Sequence, residues 1–427
     1  MARSARAGAS PRAARALSVL ARLLLAFVLL AASATADLLD AQWMLKEGGG
    51  WTLGLGGYVR SLSAVQDAGY DIPGGDRRAA FHAEVIRLKW TGRGEEWVVE
   101  VHDRLQDQVS STELGVGQSV VGFGVSRVPD RSVDLETTLL AEDRFRVWHD
   151  LDRLAVTVYA GGADVTVGRQ AITWGLSNLF PVADLWSRFS PFELDTEEKP
   201  GIDAVRVLAY PAERLEVDGV LADRGSLDEL SAGVRASWSL SDADVYGAVG
   251  KFWREIIVLG GGTYLLDQVT LRAEAAFPFE LDGGGASRPR VTVGVDWLPT
   301  DWVLGAELHY NGIGAPDADD YLGVLTDPRF ARGETYYLGR LLAGLLVSRT
   351  AADRLSLSAS LLADLQDPSA ALTPVATYDF GQSARVSLGG LVSFGKQPRF
   401  AAGDLPRLRS EFGTYGFLGY TRVSVYF

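Results

Sequence analysis

The 427-residue sequence contains no cysteine, two methionines and only four histidines. If the chain is exported, it must be stable without disulfide bonds. The histidines are His82, His102, His149 and His309. They are dispersed along the chain and form none of the ligand spacings typical of a zinc site. We therefore predict no metal and no cofactor.

Basic residues are outnumbered by acidic ones. The chain has 41 Lys+Arg and 54 Asp+Glu, a net charge of −13. Five arginines and no acids lie within residues 1–36, so the remainder has 36 basic and 54 acidic residues and a net charge of −18. Such an acidic chain is not expected to bind nucleic acid.

The sequence also lacks an apolar run long enough for a membrane-spanning helix. The apolar run near the N-terminus, residues 23–32, has ten residues, whereas a bilayer-spanning helix needs roughly 20. Arginines precede this run, and Ala34-Thr35-Ala36 follows it. We interpret residues 1–36 as a cleaved secretory signal peptide rather than a membrane anchor. Residues 37–50 would then form a short periplasmic segment.

After residue 50, apolar residues alternate with polar ones along most of the chain. Between Arg354 and Leu365, for example, one face carries leucine and alanine and the other carries serine, arginine and aspartate. This period of two is typical of β-strands, although a water-soluble β-sandwich would also show it. The pattern predicts about 18 strands over residues 51–427, with 16 as the alternative.

The predicted connections alternate in length. Every second one is a tight turn, as at 91–94 and 299–301, and the others include the long segments 106–143, 175–201 and 312–334. Short periplasmic turns opposite long outer loops are typical of bacterial outer-membrane barrels. The predicted fold is therefore all-β, a transmembrane antiparallel up-and-down β-barrel with both chain ends in the periplasm.

The C-terminal strand supports the same location. Val423, Val425 and Phe427 share one face, and the chain ends on the aromatic residue. Such a strand resembles the assembly signal of outer-membrane β-barrels, whose last strand pairs with the first and removes both sheet edges. The expected partners are outer-membrane lipid, lipopolysaccharide and the barrel assembly machinery.

A barrel of 16 to 18 strands is wide enough for an aqueous lumen. Strand parity places more basic than acidic side chains on the inward face. The pore-lining candidates are Arg87, Arg104, Arg206, Arg235, Arg272, Glu274, Glu307, His309, Arg340 and Arg422. These arginines either favour anionic solutes in the pore or pair with lumen acids and brace the wall.

The connection 175–201 follows the fifth predicted strand, where general porins carry a loop that narrows the channel. It contains an apolar group next to a run of carboxylates. The constriction candidates are Trp186, Phe189, Phe192, Asp195, Glu197 and Glu198. The alternative is an outer loop packed on its own aromatic residues.

A family resemblance rests on the segment Gly168-Arg169-Gln170 with the flanking residues 167–175, and on the segments 192–195 and 201–206. These resemble segments of porin-like outer-membrane proteins of Gram-negative bacteria, including alginate-export and related porins. The resemblance implies passive or facilitated transport without naming a solute. Arg169 departs from the strand pattern, because its parity would place it in lipid. We predict a β-bulge near Gly168 that resets the register.

An enzymatic function is not expected. Barrel hydrolases place His and the nucleophilic Ser two residues apart on one strand, and no histidine here has a serine two residues later. The acidic cluster Asp317, Asp319 and Asp320 is interpreted as a solvated loop.

The sequence thus favours an outer-membrane porin for passive diffusion of small polar, anionic solutes. The alternatives are a partner-dependent exporter and a structural or lipid-handling barrel without an open pore. Solute identity and oligomeric state are not predicted.

Overall fold

The computed structural model describes residues 43–113, 131–281, 283, 287–400 and 406–427. These residues form one antiparallel sheet of 20 strands, 18 of which close into a barrel. The barrel strands are β2 (Trp51–Asp67), β3 (Arg78–Gly94), β4 (Trp97–Ser110), β6 (Phe145–Tyr159), β7 (Ala163–Gln170), β8 (Ile202–Ala212), β9 (Leu215–Ala222), β10 (Ser231–Ser239), β11 (Ala243–Phe252), β12 (Glu255–Leu266), β13 (Val269–Glu280), β14 (Arg290–Trp297), β15 (Trp302–Asn311), β16 (Leu341–Ala352), β17 (Leu355–Asp364), β18 (Ser369–Phe380), β19 (Ala384–Phe394) and β20 (Phe417–Tyr426). The predicted 18-stranded antiparallel barrel is confirmed. The predicted signal peptide lies outside the described residues.

The first and last barrel strands close the ring. β2 pairs with β20 in unbroken register from Tyr58 opposite Tyr426 to Asp67 opposite Phe417. This pairing satisfies backbone groups that would otherwise be exposed as two sheet edges.

The alternation seen in the sequence sorts side chains between the two faces of the wall. In β14, Val293 and Trp297 are 47% and 48% exposed on the outer face. Arg290 and Thr292, with the opposite parity, are buried inside the barrel. The wall is therefore apolar on its outer face and polar within.

Two further strands were not predicted. β1 (Trp43–Gly48) pairs with residues 51–55 of β2, next to the segment that pairs with β20. The ring of Trp43 lies 5.6 Å from that of Phe427. β1 thus covers the part of the β2 edge that β20 does not reach. β5 (Glu136–Glu142) pairs with residues 145–150 of β6.

Several predicted boundaries need correction. β7 ends at Gln170, so residues 171–174 belong to the following connection rather than to a strand. β16 begins at Leu341 rather than at residue 335, and the connection before it contains the short helices Tyr321–Leu325 and Pro328–Ala331. No helix among the described residues is long and apolar enough to cross a membrane.

The predicted bulge in β7 is wrong, but Arg169 does not face lipid. β7 keeps continuous register with both neighbours. Gly168 has φ +117°, and a side chain there would collide with the Leu154 carbonyl. Arg169 is 1% exposed; its Nε donates to Asp203 Oδ1 at 2.8 Å and its Nη1 to the Leu151 carbonyl at 3.0 Å. The register shift lies instead in β6, between Leu151 and Arg153.

Replacing Arg169 with Met is expected to destabilise the barrel by about 3 kcal/mol, because it removes a fully buried guanidinium that donates to the half-buried Asp203 carboxylate and to the Leu151 carbonyl. The measurement is urea unfolding in lipid vesicles. The matched control is Arg385→Met, since the Arg385–Asp379 pair is exposed on both sides and should contribute less than about 1 kcal/mol. Equal losses for the two variants would contradict a structural role specific to Arg169.

Candidate functional site

Residues 171–201, named here the inward loop, fold into the barrel and follow its inner wall. The loop first meets β9, where Trp174 Nε1 donates to Asp218 at 2.8 Å. It then crosses β13 and β15, and it returns past β20, where Arg422 donates to the Leu194 carbonyl at 2.7 Å. The connection therefore lies against the inner face of the wall, and its role as a constriction stays a prediction.

Two wall glutamates hold the first half of this loop. Glu274 accepts the backbone N–H groups of residues 176, 177 and 182 at 3.1, 3.3 and 2.9 Å. Glu307 accepts those of residues 178, 179 and 180 at 2.7, 3.1 and 3.0 Å. The backbone of an irregular segment has no neighbouring strand to accept its N–H groups. The two carboxylates accept them instead, through charge-assisted hydrogen bonds. Both glutamates have the predicted inward parity. They are covered by the loop, however, and are not exposed to solvent.

Several of the predicted arginines brace this arrangement. Arg272 forms an ion pair with Asp296 and donates to the Leu176 carbonyl at 2.9 Å. Arg206 makes two bonds to Asp218, at 2.9 and 2.8 Å. Wall bracing is therefore the role that the structure gives these side chains.

The second half of the loop is held through its carboxylates. Asp195 and Glu197 form ion pairs with Arg60, and Glu198 forms one with Lys89. Arg60 was not among the predicted site residues. It is 2% exposed and lies on the inward face of β2. Its strand parity, which it shares with Tyr58, could have identified it.

The loop aromatics serve different ends. Trp186 is buried against Trp174 and Phe252, with ring centroids 5.1 and 4.7 Å apart. Phe192 packs on Tyr415 at 4.8 Å. Both residues fix the loop in place, and only Phe189 of the three predicted aromatics lines a cavity.

That cavity, of about 400 Å³, lies between the inward loop and the wall. The charged residues lining it are Asp184, Arg188, Lys199 and Arg290. Lys199 forms an ion pair with Asp184; burial raises the pKa of Asp184, and Lys199 opposes that rise. The lining residues therefore carry three positive charges and one negative charge, and a further carboxylate, that of Glu334, lies 3.4 Å from Arg290 Nη1.

Two arginines of the cavity have unused donors. Arg188 Nη1 and Arg290 Nη1 both donate to the Glu334 carbonyl at 2.7 Å. Their Nε and Nη2 atoms are buried and have no hydrogen-bond partner among the described residues. Sequence analysis missed Arg188, because strand parity does not apply to loop residues.

His309 also lines this cavity. Its ring stacks on Phe180 with centroids 5.0 Å apart, and its Nδ1 lies 2.9 Å from Thr292 Oγ1. The remaining pore-lining candidates lie elsewhere, on the wall except for Arg340, which ends the connection before β16 and is not in a strand as predicted. Arg87 pairs with Asp152 at 2.9 Å, Arg104 with Asp150 at 3.4 Å, Arg235 lies over the Tyr246 ring at 4.4 Å, and Arg340 donates to the Gly314 carbonyl at 3.0 Å.

One contact bears on the enzymatic alternative. Ser63 Oγ lies 2.8 Å from His82 Nδ1, and His82 Nε2 lies 3.3 Å from Glu84 Oε1. A hydrolase triad has the reverse order, with serine on Nε2 and the acid on Nδ1. Ser63 and His82 are paired residues of neighbouring strands, so we interpret the contact as a cross-strand bond of the wall. Among the described residues, no group of three acids or histidines is arranged to hold a metal.

Comparison with known proteins identifies the fold. Neither a protein-family model nor a curated protein sequence matches the chain. Solved structures do match. Acinetobacter baumannii OccAB3 has a TM-score of 0.55 at 11% identity, over 88% of this chain and 99% of that one. Pseudomonas aeruginosa OccK5 (OpdH) has 0.54 at 8% identity, over 88% and 97%. The Pseudomonas aeruginosa outer membrane protein OpdK has 0.53 at 10% identity, over 88% and 98%.

The barrel, its inward loop and these matches define a porin-like β-barrel fold. The matched proteins are distant in sequence, so the likeness is one of fold. The narrower resemblance to alginate-export porins stays a prediction.

Removing either anchoring carboxylate should free the first half of the inward loop. In Glu274→Ala and Glu307→Ala, we expect the amide hydrogens of residues 176–182 to exchange at least about tenfold faster, since hydrogen bonds to a charged group contribute about 1.5 to 3 kcal/mol. Hydrogen exchange with mass spectrometry measures this. Glu100→Ala is the control, because Glu100 is exposed. Unchanged exchange at 176–182 in both anchor variants would mean that the loop is held by other contacts.

Proposed function

We propose that the protein is an outer-membrane channel for the passive diffusion of small polar, anionic solutes. The observation that carries this proposal is the cavity beside the inward loop. Three cations and one carboxylate line it, and two of the cations have buried N–H donors that no described residue accepts. A solute carboxylate or phosphate would satisfy such donors in the planar, bidentate geometry that arginine favours.

The arrangement also suits discrimination between solutes. A positive lining lowers the electrostatic barrier for anions and raises it for cations. The firmly anchored loop would keep the opening at constant size, so that only small molecules pass. The matched structures, which include an outer membrane protein, agree with this location for the chain.

We further propose that both chain ends lie on the periplasmic side. The turns on the side of the barrel where β20 ends are two to four residues long, as at 95–96, 160–162 and 298–301. The long connections, including 171–201 and 312–340, lie at the opposite end. This asymmetry supports an outward-facing loop end.

The proposal predicts discrete conductance steps with anion preference when the folded protein is inserted into a planar bilayer. Arg188→Gln should lower the anion-to-cation permeability ratio about thirtyfold, because one unit charge about 4 Å from the path contributes about 1 kcal/mol in water and acts with opposite sign on anions and cations. The ratio is obtained from the reversal potential under a salt gradient. Arg354→Gln is the control, since Arg354 is exposed in the turn before β17.

Two results would count against the channel. If protein that is shown to be folded gives no conductance, the favoured interpretation becomes an exporter that needs a partner, or a structural barrel. Cation preference in the unmodified protein would mean that the carboxylates of the inward loop dominate the path.

A further inference from the structure

Three carboxyl groups converge where the outer connections fold back over the barrel. Asp364 ends β17, Asp367 lies in the next turn, and Glu411 belongs to the connection between β19 and β20. Their exposures are 5%, 9% and 0%. We name these three side chains, with the Tyr321 hydroxyl between them, the acid cluster.

The contacts of the acid cluster join separate segments. Tyr321 Oη donates to Asp367 Oδ2 at 2.7 Å and lies 3.0 Å from Asp364 Oδ2. Asp367 Oδ2 also accepts the backbone N–H of Glu411 at 2.7 Å. Glu411 Oε2 in turn accepts the N–H groups of Leu338 and Gly339 at 2.6 and 2.5 Å. The cluster therefore ties the connections 312–340, 365–368 and 406–416 to one another.

Gly339 allows this close approach. A Cβ at that position would overlap Asp364 Oδ2 and would lie 3.4 Å from Glu411 Oε2. Carboxyl oxygens from the end of β17 (Asp364) and from the connection between β19 and β20 (Glu411) thus meet at one backbone position. Two negative charges so placed would repel each other strongly.

The cluster has no balancing cation among the described residues, since none of its three acids forms an ion pair there. The titratable groups that face Glu411 are Asp364, Asp367, Tyr321, Tyr337 and Tyr415. The nearby Arg340 donates to the Gly314 carbonyl and Arg407 to Asp319. Buried charge without a counterion is costly, so protons are required to neutralise part of the cluster.

The segment held by Glu411 forms part of the cavity wall. Thr335, Tyr336 and Tyr337 line the cavity, and they immediately precede Leu338 and Gly339. Tyr337 Oη also donates to the Leu179 carbonyl of the inward loop at 3.2 Å. Release of Leu338 and Gly339 would therefore move one wall of the cavity.

We propose that the acid cluster is a proton-dependent latch, in which Glu411 acts as the positioning residue for the Tyr336–Tyr337 wall of the cavity. The effect on transport rests on the proposed channel function. The latch itself does not, because its state can be read from the backbone amides it binds.

The direction of the pH effect follows from burial. Burial raises the pKa of Glu411 well above its ordinary value, and the nearby Asp364 and Asp367 raise it further, against the lowering by the two backbone N–H donors. An acid whose folded-state pKa is raised stabilises the fold fully below its unfolded pKa. That contribution is lost as pH rises through the folded-state pKa. The latch is therefore closed in acid and loosens as pH increases.

The test is hydrogen exchange of the Leu338 and Gly339 amides in the full-length folded protein, from pH 4 to pH 9, corrected for the intrinsic rate. We expect protection of these amides to fall by up to about tenfold per pH unit between the ordinary pKa of the released carboxyl and its raised pKa in the closed latch, and to level off above that. Glu411→Gln mimics the protonated side chain and should remove this pH dependence while keeping protection. Asp317→Asn, which alters an exposed outer-loop acid, should leave the dependence unchanged.

A second variant and a measurement with added calcium complete the test. Tyr321→Phe removes a donor to the carboxylates and should move the transition to higher pH. Protection that is independent of pH in the unmodified protein would overturn the latch. Protection that depends on added calcium and is abolished by EDTA would also overturn it, in favour of a cation site. If the amides respond as expected but no conductance is seen, the latch stands and the channel proposal fails.

Discussion

The inward loop depends on one interaction: wall carboxylates accept the backbone N–H groups of a chain segment that has no strand partner. Glu274 and Glu307 together accept six such groups. Without them, the first half of the loop would have to leave buried amides unsatisfied or move out toward water. The cavity lies beside this backbone, so two side chains of β13 and β15 fix the position of one part of its lining.

The charges inside the barrel fall into two groups with different physical roles. Most inward arginines, including Arg206 and Arg272, are neutralised by acids of neighbouring strands and stabilise the wall. Arg188 and Arg290 instead share the Glu334 carbonyl and keep other N–H groups unused, and among the described residues only Arg290 of the two also forms an ion pair with the Glu334 carboxylate, at 3.4 Å. A net count of lumen charge would therefore overstate the field on a passing solute, which depends on the few cations left incompletely paired.

Much of the fold could be predicted from the sequence, because period-two alternation and turn length are local properties. They led to 18 strands and to the inward parity of Glu274 and Arg272. Parity shows which face a residue occupies, but not what covers that face, so the anchoring role of Glu274 was not predictable. Arg188 lies outside any strand and has no parity. Arg169 escaped the pattern because the opening it fills results from a register shift in a different strand.

The shared edge of β2 has a consequence for how the barrel forms. β1 and β2 are joined by a tight turn, so their pairing is local and requires little loss of chain entropy. β20 must reach the same edge from more than 350 residues away, which makes its pairing slow and late. The hairpin of β1 and β2 is then already present, and its Trp43 contacts Phe427 at the end of β20. Register at the seam is thus decided early, by the end of the chain that is synthesised first.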